Sequence, residues 1–258
     1  MTKRVASGPP FLMSEHLNGS HKEALKMDSN MKPGDPHYRA YIGDPRNYDL
    51  IAATTFNLLT TLGLREHHAV LDVGCGSLRN GRLLLPYLLP DRYTGIEPNE
   101  WLVREGVKHE TGEDIIRLKG AQFSFRADAR ELSPEDRYDF ILLQSIFSHC
   151  GEDLITGWLD ELVPHLSESG SLIVTWFQAQ QNSGESGWLY PGLVRYTEDR
   201  FKELVANAGL IYQPLQWPHP IQRWAMLTKS EENVAWVETT GLSFVKAFEQ
   251  LRPKKHRT

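Results

Sequence analysis

The chain has 258 residues, of which 40% are hydrophobic, which is enough for one well-buried domain with additions and too few for two large domains. Its 28 lysine and arginine residues stand against 33 aspartate and glutamate residues, and the net charge of −5 gives the whole molecule no attraction to a nucleic-acid backbone. Two cysteines imply neither a disulfide framework nor a zinc site, and the absence of any run of about 18 apolar residues excludes a membrane span, so we expect a cytoplasmic protein without a metal.

The first part of the chain has little periodicity. Residues 1–35 mix Gly, Pro, Ser, Asn, His and Lys, which predicts a loosely ordered arm before a main domain at residues 36–229. A helix is predicted from about Arg46 to Leu62, because apolar residues recur there at three- and four-residue spacing. Tyr41 precedes this helix in a segment that glycine and proline allow to bend.

A glycine-rich turn follows in the segment AVLDVGCGSLRNG, residues 69–81. An apolar run predicts a strand, and Gly74 and Gly76 come where this strand turns into a helix that we expect to begin near Ser77. Two glycines allow a sharp turn and let a bulky ligand lie against the backbone, while the positive end of the helix faces that ligand. A tight turn without a ligand has the same pattern.

The next predicted strand adds a second signal. Residues 92–98, RYTGIEP, end in Glu97 and Pro98, and Glu97 lies 23 positions after Gly74. An acidic residue about 20 positions beyond such glycines is suited to hold the two hydroxyls of a ribose. Together the two signals predict a nucleotide-like ligand at the carboxyl ends of the strands of a doubly wound sheet.

Two further strands lead to polar residues. The segment 122–129 alternates apolar and polar residues, as a half-buried strand does, and has Asp128 near its end. The segment 138–144 is almost continuously apolar, the pattern of a strand buried on both faces, and ends at Gln144 shortly before His149. The end of such a strand opens directly on the cleft of an α/β sheet.

Four motifs, LDVGCG, GIEP, FRADARE and YDFILLQSIFSH, thus occur in order, and over about Ala69 to Lys229 the chain resembles the class I S-adenosylmethionine-dependent methyltransferases. The resemblance implies an α/β, Rossmann-like doubly wound sheet of seven strands, mostly parallel with the last strand antiparallel, and helices on both faces. It also implies S-adenosyl-L-methionine as cofactor. One position departs from the family: Leu78 replaces a third glycine, and we expect it to narrow the pocket near the cofactor's amino-acid end.

The resemblance further implies a set of cofactor-binding residues. Asp128 is expected to accept a hydrogen bond from the adenine amino group while the backbone of Ala129 contacts the ring, a turn-forming aspartate being the alternative. Arg79 either meets a carboxylate of cofactor or acceptor, or lies exposed in the first helical turn. A helix ahead of the first strand commonly covers the cleft in this family, which makes Tyr41 a candidate lid residue. The predicted set is Tyr41, Asp72, Gly74, Gly76, Arg79, Glu97, Pro98, Asp128, Ala129 and Gln144.

His149 is the candidate catalytic residue. Methyl transfer from a sulfonium is an in-line displacement in which the acceptor atom loses a proton at or before attack, and a histidine with an unperturbed pKa of about 6.5 suits this task. The alternative is a histidine that only caps the next helix or packs under a loop, because alignment alone supports much of such catalysis. His219 is a second, weaker base candidate.

The remaining chain carries residues that are candidates for binding the methyl acceptor. The irregular residues 178–196 carry two aromatic side chains that either enclose a flat or greasy molecule or anchor the loop. The predicted acceptor-binding residues are Trp176, Trp188, Tyr190 and His219. We expect methylation of a small apolar or aromatic molecule, preferably at oxygen. An inactive scaffold, which Leu78 supports, and a protein or RNA methyltransferase are the alternatives.

The last part of the chain predicts a closing hairpin and a helical extension. Strands are expected over residues 211–217 and 223–229, and a helical segment, interrupted at Gly241, within residues 230–258. This extension either docks on the sheet or mediates a homodimer.

Overall fold

One sheet of seven strands organises the computed structural model, which describes residues 30–243. Its strands are β1 Val70–Val73, β2 Tyr93–Ile96, β3 Gln122–Ser124, β4 Tyr138–Leu143, β5 Leu166–Trp176, β6 Ile211–Leu215 and β7 Arg223–Thr228. Their order is β3-β2-β1-β4-β5-β7-β6, with β1 to β5 paired in parallel and β7 antiparallel to both β5 and β6. The predicted doubly wound sheet with an antiparallel last strand is confirmed.

Seven α-helices flank this sheet in the described part of the chain. They are α1 Tyr48–Thr61, α2 Gly81–Tyr87, α3 Glu100–Gly106, α4 Glu113–Lys119, α5 Glu152–Leu162, α6 Glu198–Asn207 and α7 Glu231–Thr240. Local sequence explains several of the boundaries: Thr197 caps α6 by accepting a hydrogen bond from the Arg200 amide at 3.3 Å, and Gly241, at φ 55°, ends α7.

The central strands β1 and β4 are mostly apolar because helices cover both faces of the sheet. Ile141 and Leu143 of β4 are fully buried in one core with α5 and α6. Phe140 and Leu142 face the other core, which contains side chains of α1, α2 and α7. Burial of each large apolar side chain of this kind contributes about 1.5–3 kcal/mol to the stability of the fold, so the ends of these strands are held rigidly in place.

Two predicted elements have different limits in the structure. The strand expected over residues 122–129 ends at Ser124, because side-chain hydrogen bonds turn the chain there: the Ser124 hydroxyl donates to Glu131 Oε2 at 2.6 Å, and Arg126 donates to Asp128 at 2.7 Å. The helix expected near Ser77 begins only at Gly81, because the preceding residues form a turn.

Helix α7 docks on the sheet. Val237 is buried in the same core as Trp224 and Met226 of β7. The predicted continuation beyond residue 243, and residues 1–29 of the predicted arm, lie outside the described residues. Within residues 30–243, no helix combines the length and the apolar character needed to span a bilayer.

Candidate active site

A cavity of about 630 Å³ lies at the carboxyl ends of β1, β2 and β4, a volume typical of small-molecule sites. It brings together many of the predicted residues from distant parts of the chain. The residues that line it are Tyr41, Ile42, Val73, Gly74, Cys75, Arg79, Asn80, Ile96, Glu97, Pro98, Asn99, Leu102, Ala127, Gln144, Ser145, Ile146, His149, Leu154, Trp158, Gly187, Trp188 and Tyr190.

The glycine turn forms one wall of this cavity. Gly74 and Gly76 have φ of 69° and 55°, in the left-handed region that favours glycine. A Cβ atom on Gly74 would overlap the Ile146 side chain. The amides of Gly74 and Cys75 donate to the Ile96 carbonyl at 2.7 and 3.1 Å, and the amide of Gly76 donates to Glu97 at 3.1 Å. The turn is therefore held by β2 and the residue that follows it.

Leu78, which replaces the family's third glycine, does not line the cavity. It is fully buried and packs with Cys75 and Val103, so the expectation that it narrows the pocket is wrong. Its backbone has φ 59°, a conformation that costs a leucine about 1–2 kcal/mol and that a glycine would adopt without strain. Gly106 of α3 lies directly against the Ser77 carbonyl and leaves no room for a Cβ atom.

This turn places Arg79 inside the protein. Its side chain is only 6% exposed, so the exposed alternative is wrong. The guanidinium donates to the Ile42 carbonyl at 3.3 Å and to Oε1 of Gln144, while Nε has no partner within residues 30–243. Burial lowers the pKa of Arg79, although a guanidinium remains charged at any physiological pH.

Glu97 lies at the end of β2, where its carboxylate faces the cavity and is 6% exposed. Oε1 accepts hydrogen bonds from the amide and the side chain of Asn99, both at 2.8 Å, and Oε2 accepts from Gly76 at 3.1 Å. A carboxylate has about four lone-pair positions, so one position at Oε2 is unused. Burial raises the pKa of Glu97, and these hydrogen bonds oppose the shift.

His149 has a defined tautomer. Its Nδ1 lies 2.6 Å from the Gly192 carbonyl, which can only accept, so Nδ1 carries the proton of the neutral ring. Nε2 therefore has a lone pair, and it forms no hydrogen bond with the described residues. Burial lowers the pKa of His149, and the carbonyl of Gly192 only partly opposes this shift. The ring is neutral at pH 7 and has the properties of a base.

Aromatic side chains surround this histidine. The ring centroids of Tyr190 and Trp188 lie 4.9 and 5.6 Å from that of His149. The Tyr190 hydroxyl donates to the Tyr41 carbonyl, and the Tyr41 ring lies edge-on to Trp101 with centroids 5.2 Å apart. The segment before α1 and the loop of residues 178–196 therefore meet above the cavity.

Two predicted site residues belong to the interior of the protein. Trp176 is fully buried and stacks on Phe201 of α6 with centroids 4.4 Å apart, so its assignment to the acceptor site is wrong: its position in β5 directs it into the core beneath α6. Asp72 is 1% exposed and accepts the Tyr93 hydroxyl at 2.9 Å instead of lining the cavity, and burial raises its pKa to about 7.

The residues expected to contact adenine are not at the cavity wall, which Ala127 lines instead. Asp128 is paired with Arg126, which lowers the pKa of this carboxyl to about 2. The Ala129 amide donates to Glu161 at 2.9 Å, and its side chain is buried in the core. The adenine contacts of Asp128 and Ala129 stay a prediction.

His219 has the opposite tautomer to His149. Its Nδ1 accepts hydrogen bonds from the amides of Ile221 and Gln222 at 3.2 and 2.9 Å, so the proton is on Nε2. Burial and the charge of Arg79 lower its pKa to about 4. His219 is therefore a hydrogen-bond donor, and its predicted role as a base is wrong.

Sequence reasoning missed several residues of the cavity wall. Leu154 and Trp158 stand four residues apart on α5, a spacing typical of core packing, yet both line the cavity. Asn99 directly precedes α3 but makes no capping hydrogen bond, and its side chain donates to Glu97 instead. No local signal identified Ile42, which reaches the site only through the fold.

Residues 70–170, which include the glycine turn, Glu97 and His149, match the family model of a methyltransferase domain. The chain carries a methyltransferase domain. This match agrees with the predicted family, and the motifs that carried the resemblance lie around one cavity.

Solved structures share the fold at low sequence identity. Magnesium protoporphyrin IX methyltransferase from Synechocystis PCC 6803 with bound SAM has a TM-score of 0.53 at 15% identity, over 72% of this chain and 81% of that chain. Mitomycin 7-O-methyltransferase has a TM-score of 0.55 at 16% identity, over 75% and 56%. A SAM-dependent methyltransferase from Leishmania major has a TM-score of 0.54 at 15% identity, over 80% and 81%.

Proposed function

We propose that this methyltransferase transfers a methyl group from S-adenosylmethionine to an oxygen atom of a small apolar or aromatic acceptor. The observation that carries the proposal is the state of His149. Its Nδ1 is held by the Gly192 carbonyl, its unprotonated Nε2 has no partner among the described residues, and aromatic rings of the cavity wall surround it.

The residues of the cavity fit the cofactor. A side chain at Gly74 would overlap Ile146, so glycine there lets Ile146 pack closely against the turn and complete the cavity wall. The Glu97 carboxylate suits two neighbouring ribose hydroxyls. One hydroxyl can donate to the unused lone pair of Glu97, and the other can replace a hydrogen bond that Asn99 donates to this carboxylate. When bound, S-adenosylmethionine supplies an electrophilic methyl group on a sulfonium.

His149 supplies the base. Because burial lowers its pKa, the ring is neutral at pH 7, and Nε2 is able to accept the proton of an acceptor hydroxyl. The Gly192 carbonyl fixes the ring orientation and stabilises the imidazolium that forms. General-base catalysis of this kind typically contributes about 10²–10⁴-fold to the rate.

The aromatic wall supports the acceptor class. Trp188 and Tyr190 present two rings with an interplanar angle of 26°, a surface on which a flat molecule can stack. The similar fold of a protein named as a mitomycin 7-O-methyltransferase agrees with oxygen as the acceptor atom. The alternative of an inactive scaffold loses its main argument, because Leu78 lies behind the turn and leaves the cavity open.

Two measurements test the proposal. Isothermal titration should show that the full-length protein binds S-adenosylhomocysteine. Incubation with S-adenosylmethionine and a panel of phenols and other hydroxylated aromatics should release S-adenosylhomocysteine with at least one of them. A protein that does not bind S-adenosylhomocysteine contradicts the proposal, and binding without turnover of any phenol contradicts its oxygen-acceptor part.

A further inference from the structure

We propose that the Ser145 hydroxyl donates a hydrogen bond to a second oxygen atom of the methyl acceptor and thereby selects among acceptors. The inference rests on the proposed function, in which the first oxygen of the acceptor loses its proton to His149. It narrows the substrate class to flat hydroxylated molecules whose ring carries a further carbonyl, ether or hydroxyl oxygen.

Ser145 lies in the turn that also carries His149. This turn follows β4 directly, and the His149 amide donates to the Ile146 carbonyl at 2.9 Å, so the segment is short and compact. Ser145 is half-buried, and both it and His149 line the cavity. The two residues therefore present polar groups to the same bound molecule.

The first argument is that the Ser145 hydroxyl has a proton without a partner. Gln144 donates to its oxygen from Nε2 at 2.7 Å, and Gln222 donates from Nε2 at 3.0 Å. The orientation of Gln144 is determined, because its Oε1 accepts from the Arg79 guanidinium, which only donates. A hydroxyl has two lone pairs and one proton. Both lone pairs are used, and within residues 30–243 the proton has no acceptor, so it is available to a ligand.

The second argument is that the backbone holds Ser145 in a strained conformation. Its φ is 63°, in the left-handed region that glycine adopts freely and a serine does not. The Ser145 amide donates to Thr175 Oγ1 of β5 at 2.7 Å, which holds this conformation in place. Strained residues of this kind are typical of functional sites. Because a glycine would remove the strain, a serine here indicates a use for its hydroxyl.

The third argument places Ser145 on the acceptor side of the cavity. The residues that fit the cofactor, the glycine turn and Glu97, follow β1 and β2. Ser145 is bound to the other side of β4 in the sheet, through Thr175 of β5 and through Gln222, which directly precedes β7. His219 holds this last segment, since its Nδ1 accepts from the Gln222 amide at 2.9 Å. Ser145 therefore lies on the side of the cavity away from the proposed ribose site.

A hydroxyl proton in a cavity wall discriminates between ligands through the hydrogen bond that it needs. In solution such a donor is bonded to water, and a bound ligand displaces that water. An acceptor molecule with an oxygen at this point restores the hydrogen bond, whereas one with a methylene group there leaves the donor unpaired. Because the hydroxyl is uncharged, a neutral carbonyl or ether oxygen suffices. The loss of such a hydrogen bond lowers kcat/KM about 3- to 10-fold.

Initial rates of the full-length protein with matched pairs of acceptors test the site. Methoxyphenols present an ether oxygen, and ethylphenols have a methylene group in its place at nearly the same shape; each pair is compared with the substituent in the ortho, meta or para position. Release of S-adenosylhomocysteine gives kcat/KM, and the ratio of methoxyphenol to ethylphenol cancels effects on the cofactor or on His149. For wild type this ratio should be about 3 to 10 for at least one position of the substituent.

Three variants separate the hydroxyl from the rest of the turn. Ser145→Gly removes the hydroxyl, suits the positive φ and should lower the ratio to about 1. Gln222→Glu replaces a donor with a carboxylate that accepts the Ser145 proton, so it should lower the ratio although Ser145 is intact. Ser148→Ala is the matched control: it removes a buried serine hydroxyl of the same turn that has no partner in the described part of the chain, and it should keep the wild-type ratio. Thermal unfolding verifies that each variant is folded.

The site is refuted if the wild-type ratio is about 1 for every position of the substituent, or if folded Ser145→Gly keeps the wild-type ratio. A lower affinity of Ser145→Gly for S-adenosylhomocysteine with an unchanged ratio would place the hydroxyl on the cofactor and also overturns the proposal. If Ser145→Gly does not fold, the ratio for Gln222→Glu decides by the same criterion. Failure of wild type to release S-adenosylhomocysteine with any phenol would instead contradict the proposed function, on which this site rests.

Discussion

Replacing Glu97 with glutamine removes the negative charge at the end of β2 and keeps the shape of the side chain. The carboxylate receives three hydrogen bonds, two from Asn99 and one from Gly76. If it holds a ribose, one hydroxyl takes the unused lone pair of Oε2, and the other takes the position of the Asn99 side chain at Oε1. The amide of glutamine cannot provide both, because one of its two ends donates.

The expected loss of affinity for S-adenosylhomocysteine follows from this exchange of hydrogen-bond partners at Glu97. Two hydrogen bonds to a charged group form on binding and one is given up, so the net gain is about one such bond, or about 1.5–3 kcal/mol. This corresponds to an affinity for S-adenosylhomocysteine about 10- to 150-fold lower in Glu97→Gln than in wild type. The variant Asn99→Ala is the matched control: it retains the carboxylate and removes the competing donor, so its affinity should equal or slightly exceed that of wild type.

Isothermal titration at pH 8 gives both affinities, and thermal unfolding shows whether the variants are folded. Since burial raises the pKa of Glu97, wild-type affinity should begin to fall at a pH above the ordinary range of a glutamate, about 4.3, and this component should be absent in Glu97→Gln. A folded Glu97→Gln protein that binds S-adenosylhomocysteine within threefold of wild type would refute the assignment of the ribose to this carboxylate.

Three further predictions concern catalysis and stability. His149→Gln should lower kcat about 10²- to 10⁴-fold with unchanged affinity for S-adenosylhomocysteine, and equal kcat values for variant and wild type would exclude His149 as the base. Wild-type kcat/KM should fall as the pH drops through a pKa below 6.5. Gly106→Ala should destabilise the fold by about 1–3 kcal/mol in urea unfolding, because its Cβ meets the backbone of the glycine turn, whereas Gly157→Ala, with open space around it, should be neutral or stabilising. The folded pKa of Asp72, about 7, exceeds its unfolded value of about 3.9, so the free energy of unfolding of wild type should decline by up to about 4 kcal/mol between about pH 4 and 7. Asp72→Asn should show a flatter dependence of the free energy of unfolding on pH over this range, and an unchanged slope would contradict the raised pKa.

The elements that sequence predicts well are those determined by short-range patterns. The apolar run of β4 and the glycine turn after β1 have the expected positions, since both depend on neighbouring residues. The link between the turn and β2 was also expected, from the spacing of Gly74 and Glu97, and both residues line one cavity.

What the sequence could not show depends on partners far along the chain. Arg79 is buried because Ile42 and Gln144, 37 and 65 residues away, accept its hydrogen bonds. The histidines at 149 and 219 look alike in sequence, and only the Gly192 carbonyl in one case and backbone amides in the other determine which nitrogen carries the proton. The face on which Trp176 lies depends on the helix packed against it.

The contact between Tyr190 and the Tyr41 carbonyl joins two stretches of chain 149 positions apart. Together they cover one side of the cavity, and the strand ends of the sheet form the opposite side. We expect separation of these two stretches to limit the release of S-adenosylhomocysteine and thereby turnover, a common outcome where a loop covers the site of the reaction. Substitutions in these two stretches should then alter the rate of product release, and substitutions at the strand ends should alter the rate of methyl transfer.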